Sequence, residues 1–150
     1  MRLALYEPDI PQNTGALIRL GACFGVPVDV IEPCGFLFSD TALKRAAMDY
    51  RDMAEVSRHA SWDTFLAQCR TGRIVLLTTK SDQSYLAARF RPDDVLLLGR
   101  ESSGVPEQVH ARADLRLRIP VKRGLRSLNV AQAGAVVLSE ALRQTGLFPV

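Results

Sequence analysis

The stretch Val95–Pro106 reads VLLLGRESSGVP. Its first five residues are a near-continuous apolar run of strand length, the pattern of a strand covered on both faces of a parallel sheet. A polar loop follows, and Pro106 stands where the first turn of a helix to about Ala111 would begin. Arg73–Thr78 (RIVLLT) repeats the arrangement and also runs into a polar loop. Leu115–Ile119 (LRLRI) alternates instead, as a strand with one buried face does, and it stops at Pro120, which has no N–H for another ladder bond.

Working outward, Arg2–Tyr6, Val28–Ile31 and Ala54–Arg58 read as further strands. Asn13 is the expected cap of a helix to Phe24, stopped by Gly25. Ser39 and Asp40 open a short helix over Thr41–Met48, and Ser61 caps one carrying Trp62, Phe65 and Leu66. Ser127 opens a last helix whose Leu128, Ala131, Ala135, Val136 and Leu142 recur at helical spacing. Strands alternating with helices predict an α/β fold, a mostly parallel sheet flanked by helices, as one domain over residues 1–150 with no separate RNA-binding domain.

At 150 residues the chain can bury roughly two-thirds of its extended surface in one core. Cys23, Cys34 and Cys69 are odd in number and lack metal-ligand spacing, so free thiols in a reducing, cytoplasmic setting are expected. No apolar run approaches the about 18 residues of a membrane span. A net charge of +3 and a pI near 9.0 permit a polyanionic partner without requiring one.

Ligands of parallel α/β sheets sit beyond the carboxyl ends of the strands. The ends at Leu77, Gly99 and Ile119 can converge on one crevice, floored by the basic loop and helix start of Ile119–Gln132 (IPVKRGLRSLNVAQ). No G-x-G-x-x-G follows a strand, and Gly99–Gly104 is followed by Val105 and Pro106 where a P-loop needs Lys and Ser or Thr. These absences argue against a Rossmann dehydrogenase and a P-loop NTPase, and there is no metal cluster or nucleophile elbow. His59 and His110 lack a partner at recognisable spacing and read as structural, and Trp62 reads as core. Gly15, Arg19 and Cys23 recur at i, i+4, i+8, a face of small residues around one arginine that predicts a subunit interface. By charge alone Lys44 and Arg45 read as a solvated helix end.

Three motifs in order carry a resemblance: Asn13-Thr14-Gly15 with Arg19, then Leu98–Pro106 (LGRESSGVP), then Ile119-Pro120 with Arg126-Ser127-Leu128-Asn129. Over nearly its whole length the chain resembles the SPOUT superfamily of RNA methyltransferases, and within it the small TrmL group of tRNA wobble-nucleotide 2′-O-methyltransferases. The stretches LYEPDIPQNTG, IEPCGF, LKRAAMDY and LTTK add to the likeness. The resemblance implies a C-terminal deep trefoil knot, S-adenosylmethionine bound in it, and a homodimer whose active sites borrow residues from the neighbouring subunit. It implies a cofactor pocket at Leu77, Gly99, Ile119, Ser127 and Leu128, and catalysis by Arg19. The substrate would be tRNA, cytidine or 5-carboxymethylaminomethyluridine at the wobble position, with leucine isoacceptors expected. Asn13, Lys44, Arg45, Lys122, Arg123, Arg126 and Asn129 are the candidates for substrate contact. Arg100 and Ser103 stand where the second motif often has Pro and Arg, and Ser139 where an aromatic residue is expected. Another SPOUT enzyme with a different RNA ribose, or a non-catalytic RNA- or nucleotide-binding module, are the alternative readings.

Overall fold

The computed structural model describes residues 1–69 and 72–150. Six strands, β1 (Arg2–Tyr6), β2 (Val28–Ile31), β3 (Val56–His59), β4 (Ile74–Leu77), β5 (Val95–Leu98) and β6 (Leu115–Leu117), form one parallel sheet in the order β3-β2-β1-β5-β4-β6. The predicted parallel sheet is therefore present. The helices are α1 (Pro11–Phe24), α2 (Thr41–Ala47), α3 (Trp62–Gln68), α4 (Glu107–Arg112) and α5 (Val130–Thr145).

Both faces of the central strands are covered, as their unbroken apolar character requires. Leu3, Leu5, Val28, Val30, Leu96 and Leu98 point to α1 and α5, where Leu17, Ile18, Val137 and Leu138 are buried. Ala4, Tyr6, Val95 and Leu97 point the other way, to Trp62 and Phe65 of α3 and Val109 of α4. Trp62 is core, as read from the sequence. His59 is buried and structural: its Nε2 lies 2.8 Å from Oδ1 of buried Asp29, which also accepts from Arg2.

Two expected caps are corrected. Helix α1 begins earlier than predicted, with Ile10 as its N-cap and Pro11 in the first turn, so Asn13 lies inside the helix and is buried. Proline at the first helical position loses no hydrogen bond and arrives with its φ already set, so Pro11 starts the helix two residues before Asn13. Helix α5 begins later than predicted, and its cap is Asn129, whose Oδ1 accepts from the N–H groups of Ala131 and Gln132. Ser127 stays in the exposed loop before it. Gly25 does stop α1, in the left-handed conformation at φ 65°.

The small-residue face of α1 is also covered differently from the prediction at one end. A Cβ on Gly15 would lie 2.6 Å from Ala46 Cβ and 2.7 Å from the Leu43 carbonyl oxygen. The close approach that glycine allows is thus made by α2 of the same chain, while Arg19 and Cys23 remain exposed.

Candidate active site

The carboxyl ends of β4, β5 and β6 open into one cavity of about 550 Å³, within the range of about 300–1,000 Å³ usual for small-molecule sites. Leu77, Gly99, Ile119, Ser127 and Leu128 all line it, so the expected convergence of three strand-end loops is present. Asn13, Arg126 and Asn129 line it too.

Local chain chemistry builds each wall. After β5 the chain reverses in a tight loop, with Arg100 and Gly104 exchanging backbone hydrogen bonds of 2.9 Å in both directions. Gly99 permits this closure: a Cβ there would sit 2.8 Å from the Gly104 carbonyl carbon. The backbone of this loop consequently forms part of the cavity surface. After β4 the segment through Ser81 is tied to the end of β6, since Ser81 Oγ donates to the Arg116 carbonyl and the Thr78 N–H to that of Leu117.

A polar bracket joins the first helix, the β5 loop and the last helix. Asn129 Nδ2 donates to Asn13 Oδ1 at 2.9 Å, and Asn13 Nδ2 donates to Glu101 Oε1 at 3.3 Å. Glu101 Oε2 accepts from the Asp9 N–H at 3.0 Å, and the Glu101 N–H donates to Asp9 Oδ1 at 3.2 Å. The Ser102 hydroxyl donates to Asp9 Oδ2. Burial, and next the side-chain hydrogen bond between its carboxyl and that of Asp9, push the Glu101 carboxyl above its ordinary range. Asp9 is held down to about 2, first by the side-chain hydrogen bond it accepts from the Glu101 carboxyl and then, against burial, by Ser102 and Arg100.

Sequence reasoning missed Asp9 and Glu101, whose signal was a carboxylate in each of two loops leaving adjacent strands. It also missed His110, which lines the cavity and whose buried Nε2 has no hydrogen-bond partner among the described residues.

The remaining candidates lie elsewhere. Lys44 and Arg45 are exposed on α2, and Lys122 and Arg123 are exposed in the loop before α5. Arg19 does not line its own chain's cavity. It stands about 9 Å along α1 from Asn13 and about 120° around it, with Nη1 3.1 Å from Met48 Sδ and its guanidinium carbon 5.1 Å from the Tyr50 ring centre.

Apolar walls from Leu76, Leu98, Leu117 and Val130, interleaved with strand-end backbone and one half-buried carboxyl, suit a ligand with a flat apolar ring system and several polar edges. S-adenosylmethionine has that make-up, and the residues present fit it.

The profile of the SpoU rRNA Methylase family matches residues 1–139. The chain belongs to the SpoU rRNA methylase family. Among SpoU relatives, a tRNA (cytidine(34)-2′-O)-methyltransferase of Beijerinckia indica is 59% identical over 146 residues, covering 96% of this chain and 91% of that one. The protein of the same description from Escherichia coli (strain K12) is 38% identical, covering 97% and 94%. A solved structure described as giving insight into the 2-OH methylation of C/U34 on tRNA superposes with a TM-score of 0.91 at 43% identity, over 95% of this chain and 94% of that one. An AdoMet-bound rRNA methyltransferase from Sinorhizobium meliloti superposes at 0.85 with 27% identity, over 95% of this chain and 55% of that one.

Proposed function

We propose that this SpoU-family chain is an S-adenosylmethionine-dependent tRNA methyltransferase that modifies the ribose 2′-oxygen of nucleotide 34, a cytidine or a modified uridine. The observation that carries the reading is the cavity itself. The loops of the second and third sequence motifs and Asn13 of the first line it, in a chain 59% identical over nearly full length to a tRNA (cytidine(34)-2′-O)-methyltransferase. The rRNA enzyme among its structural neighbours is a more distant relative at 27% identity.

S-adenosylmethionine supplies an already activated methyl group on a sulfonium, so the protein's task is placement. Holding a hydroxyl in line at contact distance contributes about 7–11 kcal/mol to lowering such a barrier. The strand-end backbone at Leu77, Gly99 and Ile119, with Ser127 and Leu128, forms the cofactor wall, and the Asn129–Asn13–Glu101 bracket fixes that wall to α1 and α5. Arg19 is the catalytic residue. Its guanidinium stays protonated, with a pKa above about 12, so it acts by gripping the adjoining phosphate and steadying negative charge that develops on the hydroxyl oxygen.

Because Arg19 is exposed and outside its own chain's cavity, it serves the site of a second copy in a homodimer. The chain at residues 116–118, tied to the 81–85 loop shortly before the run into α5, supports the reading that the C-terminal part forms the trefoil knot. Asn13 and Asn129 order the substrate side of the cavity, while Lys44, Arg45, Lys122, Arg123 and Arg126 hold RNA phosphates. Unpaired thiols at Cys23, Cys34 and Cys69 suit the cytoplasm.

The test is methyl transfer from labelled S-adenosylmethionine to bulk tRNA, with the product nucleotide mapped by mass spectrometry. Label on the ribose of nucleotide 34 is expected; label on a base, on another ribose or on no RNA would overturn the assignment.

A further inference from the structure

The loop joining β2 to α2, residues 32–40, carries an aromatic pair that the cavity does not use. Phe36 and Phe38 stack with ring centres 6.4 Å apart and planes inclined by 24°. Phe38 packs against the main core, whereas Phe36 belongs to neither core cluster among the described residues. The Arg58 guanidinium carbon lies 4.3 Å from the Phe38 ring centre, and Arg58 is itself anchored on Glu32. Leu37, between the two rings, is 76% exposed. A half-exposed ring backed by a second ring and a braced guanidinium leaves apolar surface in water at the end of a strand.

The position of this loop gives the surface a meaning. Strand β2 pairs with β1, and β1 with β5, all parallel, so the loop leaves the same edge of the sheet as the cavity wall, about 10 Å across from β5. Direct contacts link the two. The Gly35 N–H donates to the Pro8 carbonyl at 2.9 Å, and a Cβ on Gly35 would lie 2.8 Å from Asp9 Cβ. Asp9 in turn is bonded to Glu101 and Ser102 on the cavity wall. Lys44 and Arg45 are exposed on α2, whereas the neighbouring acids are engaged: Asp40 caps that helix, Glu32 is paired with Arg58, and Asp9 is paired with Arg100 and bonded to Ser102.

We propose that Phe36, backed by Phe38 and Arg58, is a stacking platform for an unpaired base next to the methylated nucleotide. The inference rests on the RNA reading above. An aromatic face accepts any base, and a base leaving the cavity mouth along one strand reaches this loop while its phosphates meet the neighbouring cations. The platform therefore holds the flanking nucleotide in register and lets the target ribose enter the cavity.

The experiment measures binding and methylation of an RNA hairpin whose single-stranded loop carries the target nucleotide, beside hairpins made abasic at each flanking position in turn. Phe36→Ala should bind the intact hairpin about 5- to 150-fold more weakly, the loss expected for one stacked base. One abasic hairpin should bind the wild type equally weakly and show no further loss with Phe36→Ala. Phe36→Trp should restore binding and Phe36→Leu, which keeps the apolar packing, should not; S-adenosylmethionine affinity should be the same in all three variants. A wild type that methylates the hairpin beside a Phe36→Ala that binds it equally well overturns the platform alone. So does a loss that every abasic hairpin shares, or one that accompanies dissociation of the protein in light scattering. A wild type that neither binds nor methylates the hairpin overturns the RNA reading and the platform together.

Discussion

Asn129 donates a hydrogen bond of 2.9 Å to Asn13 across 116 residues of chain, and with its other amide atom it caps the helix that follows. One side chain therefore sets both where α5 starts and where it stands relative to α1. The cavity depends on that registration, because the loop before α5 is one of its walls and the partner of Asn13, Glu101, belongs to another.

Asn129→Ala removes the cap and the link together. Loss of a capping side chain costs about 0.5–2 kcal/mol, and the Asn13 amide oxygen left without its donor adds about 1–3 kcal/mol. Urea unfolding should show a destabilisation of about 1.5–5 kcal/mol, and S-adenosylmethionine affinity should fall with it. Asn129→Asp keeps the cap and loses the donor, so it should recover only part of the stability.

The Asp9–Glu101 pair predicts a pH signature. The Glu101 carboxyl is raised above its ordinary 4.5, so in the folded protein it keeps a proton that the unfolded chain releases. Its contribution to stability is complete below pH 4.5 and declines as the pH rises through the folded value. Asp9 runs oppositely: its contribution is complete above its ordinary 3.8 and is lost as the pH falls through about 2. Measured in urea between pH 4.5 and 7, the stability of the wild type relative to Glu101→Gln should decrease with rising pH. A difference independent of pH over that window would contradict the assignment.

Two glycines separate rigid from yielding neighbours. At Gly15 an added Cβ meets a backbone carbonyl oxygen at 2.7 Å and Ala46 Cβ at 2.6 Å, neither of which can swing away. At Gly134 it meets only the methyl ends of Leu17 at 2.7 Å and Leu98 at 3.1 Å. Both changes gain about 1 kcal/mol of helix propensity. Overpacking costs about 1–3 kcal/mol, so Gly15→Ala should lower the thermal midpoint while Gly134→Ala stays near that of the wild type. Equal midpoints would show that α2 does not press on α1 as described.

Much of the fold was legible because its signals are local. Arg2–Tyr6 and Val28–Ile31 were read to the residue, since short runs rich in strand-forming residues end where Glu7-Pro8, Pro27 and Glu32-Pro33 turn the chain. The helix starts were less legible. Asn13 and Ser127 are good caps by type, but Pro11 starts α1 without one, and Asn13 finds partners 88 and 116 residues away. No window of sequence contains those partners. The same distance hid Glu101, which became recognisable only when the fold laid the β5 loop against Asp9. The proposed cofactor wall was read from motif likeness, and the convergence of its residues on one cavity follows from strand ends sharing one sheet edge.

Salt dependence tests the cationic surface. Each phosphate contact on a single strand contributes about 0.7 to the slope of log affinity against log salt. The Lys44→Ala/Arg45→Ala pair should weaken tRNA binding and make that slope shallower by about 1.4. A slope unchanged by the pair would place RNA on another surface.

The proposed function divides the labour: the strand-end loops hold the methyl donor, and Arg19, outside that cavity in its own chain, acts only on the ribose. The direct measurement is Arg19→Ala examined by calorimetric titration with S-adenosylmethionine and by single-turnover methylation of tRNA. Wild-type affinity for S-adenosylmethionine with methyl transfer abolished is the predicted result. Methyl transfer at the wild-type rate, or loss of S-adenosylmethionine binding, would contradict it.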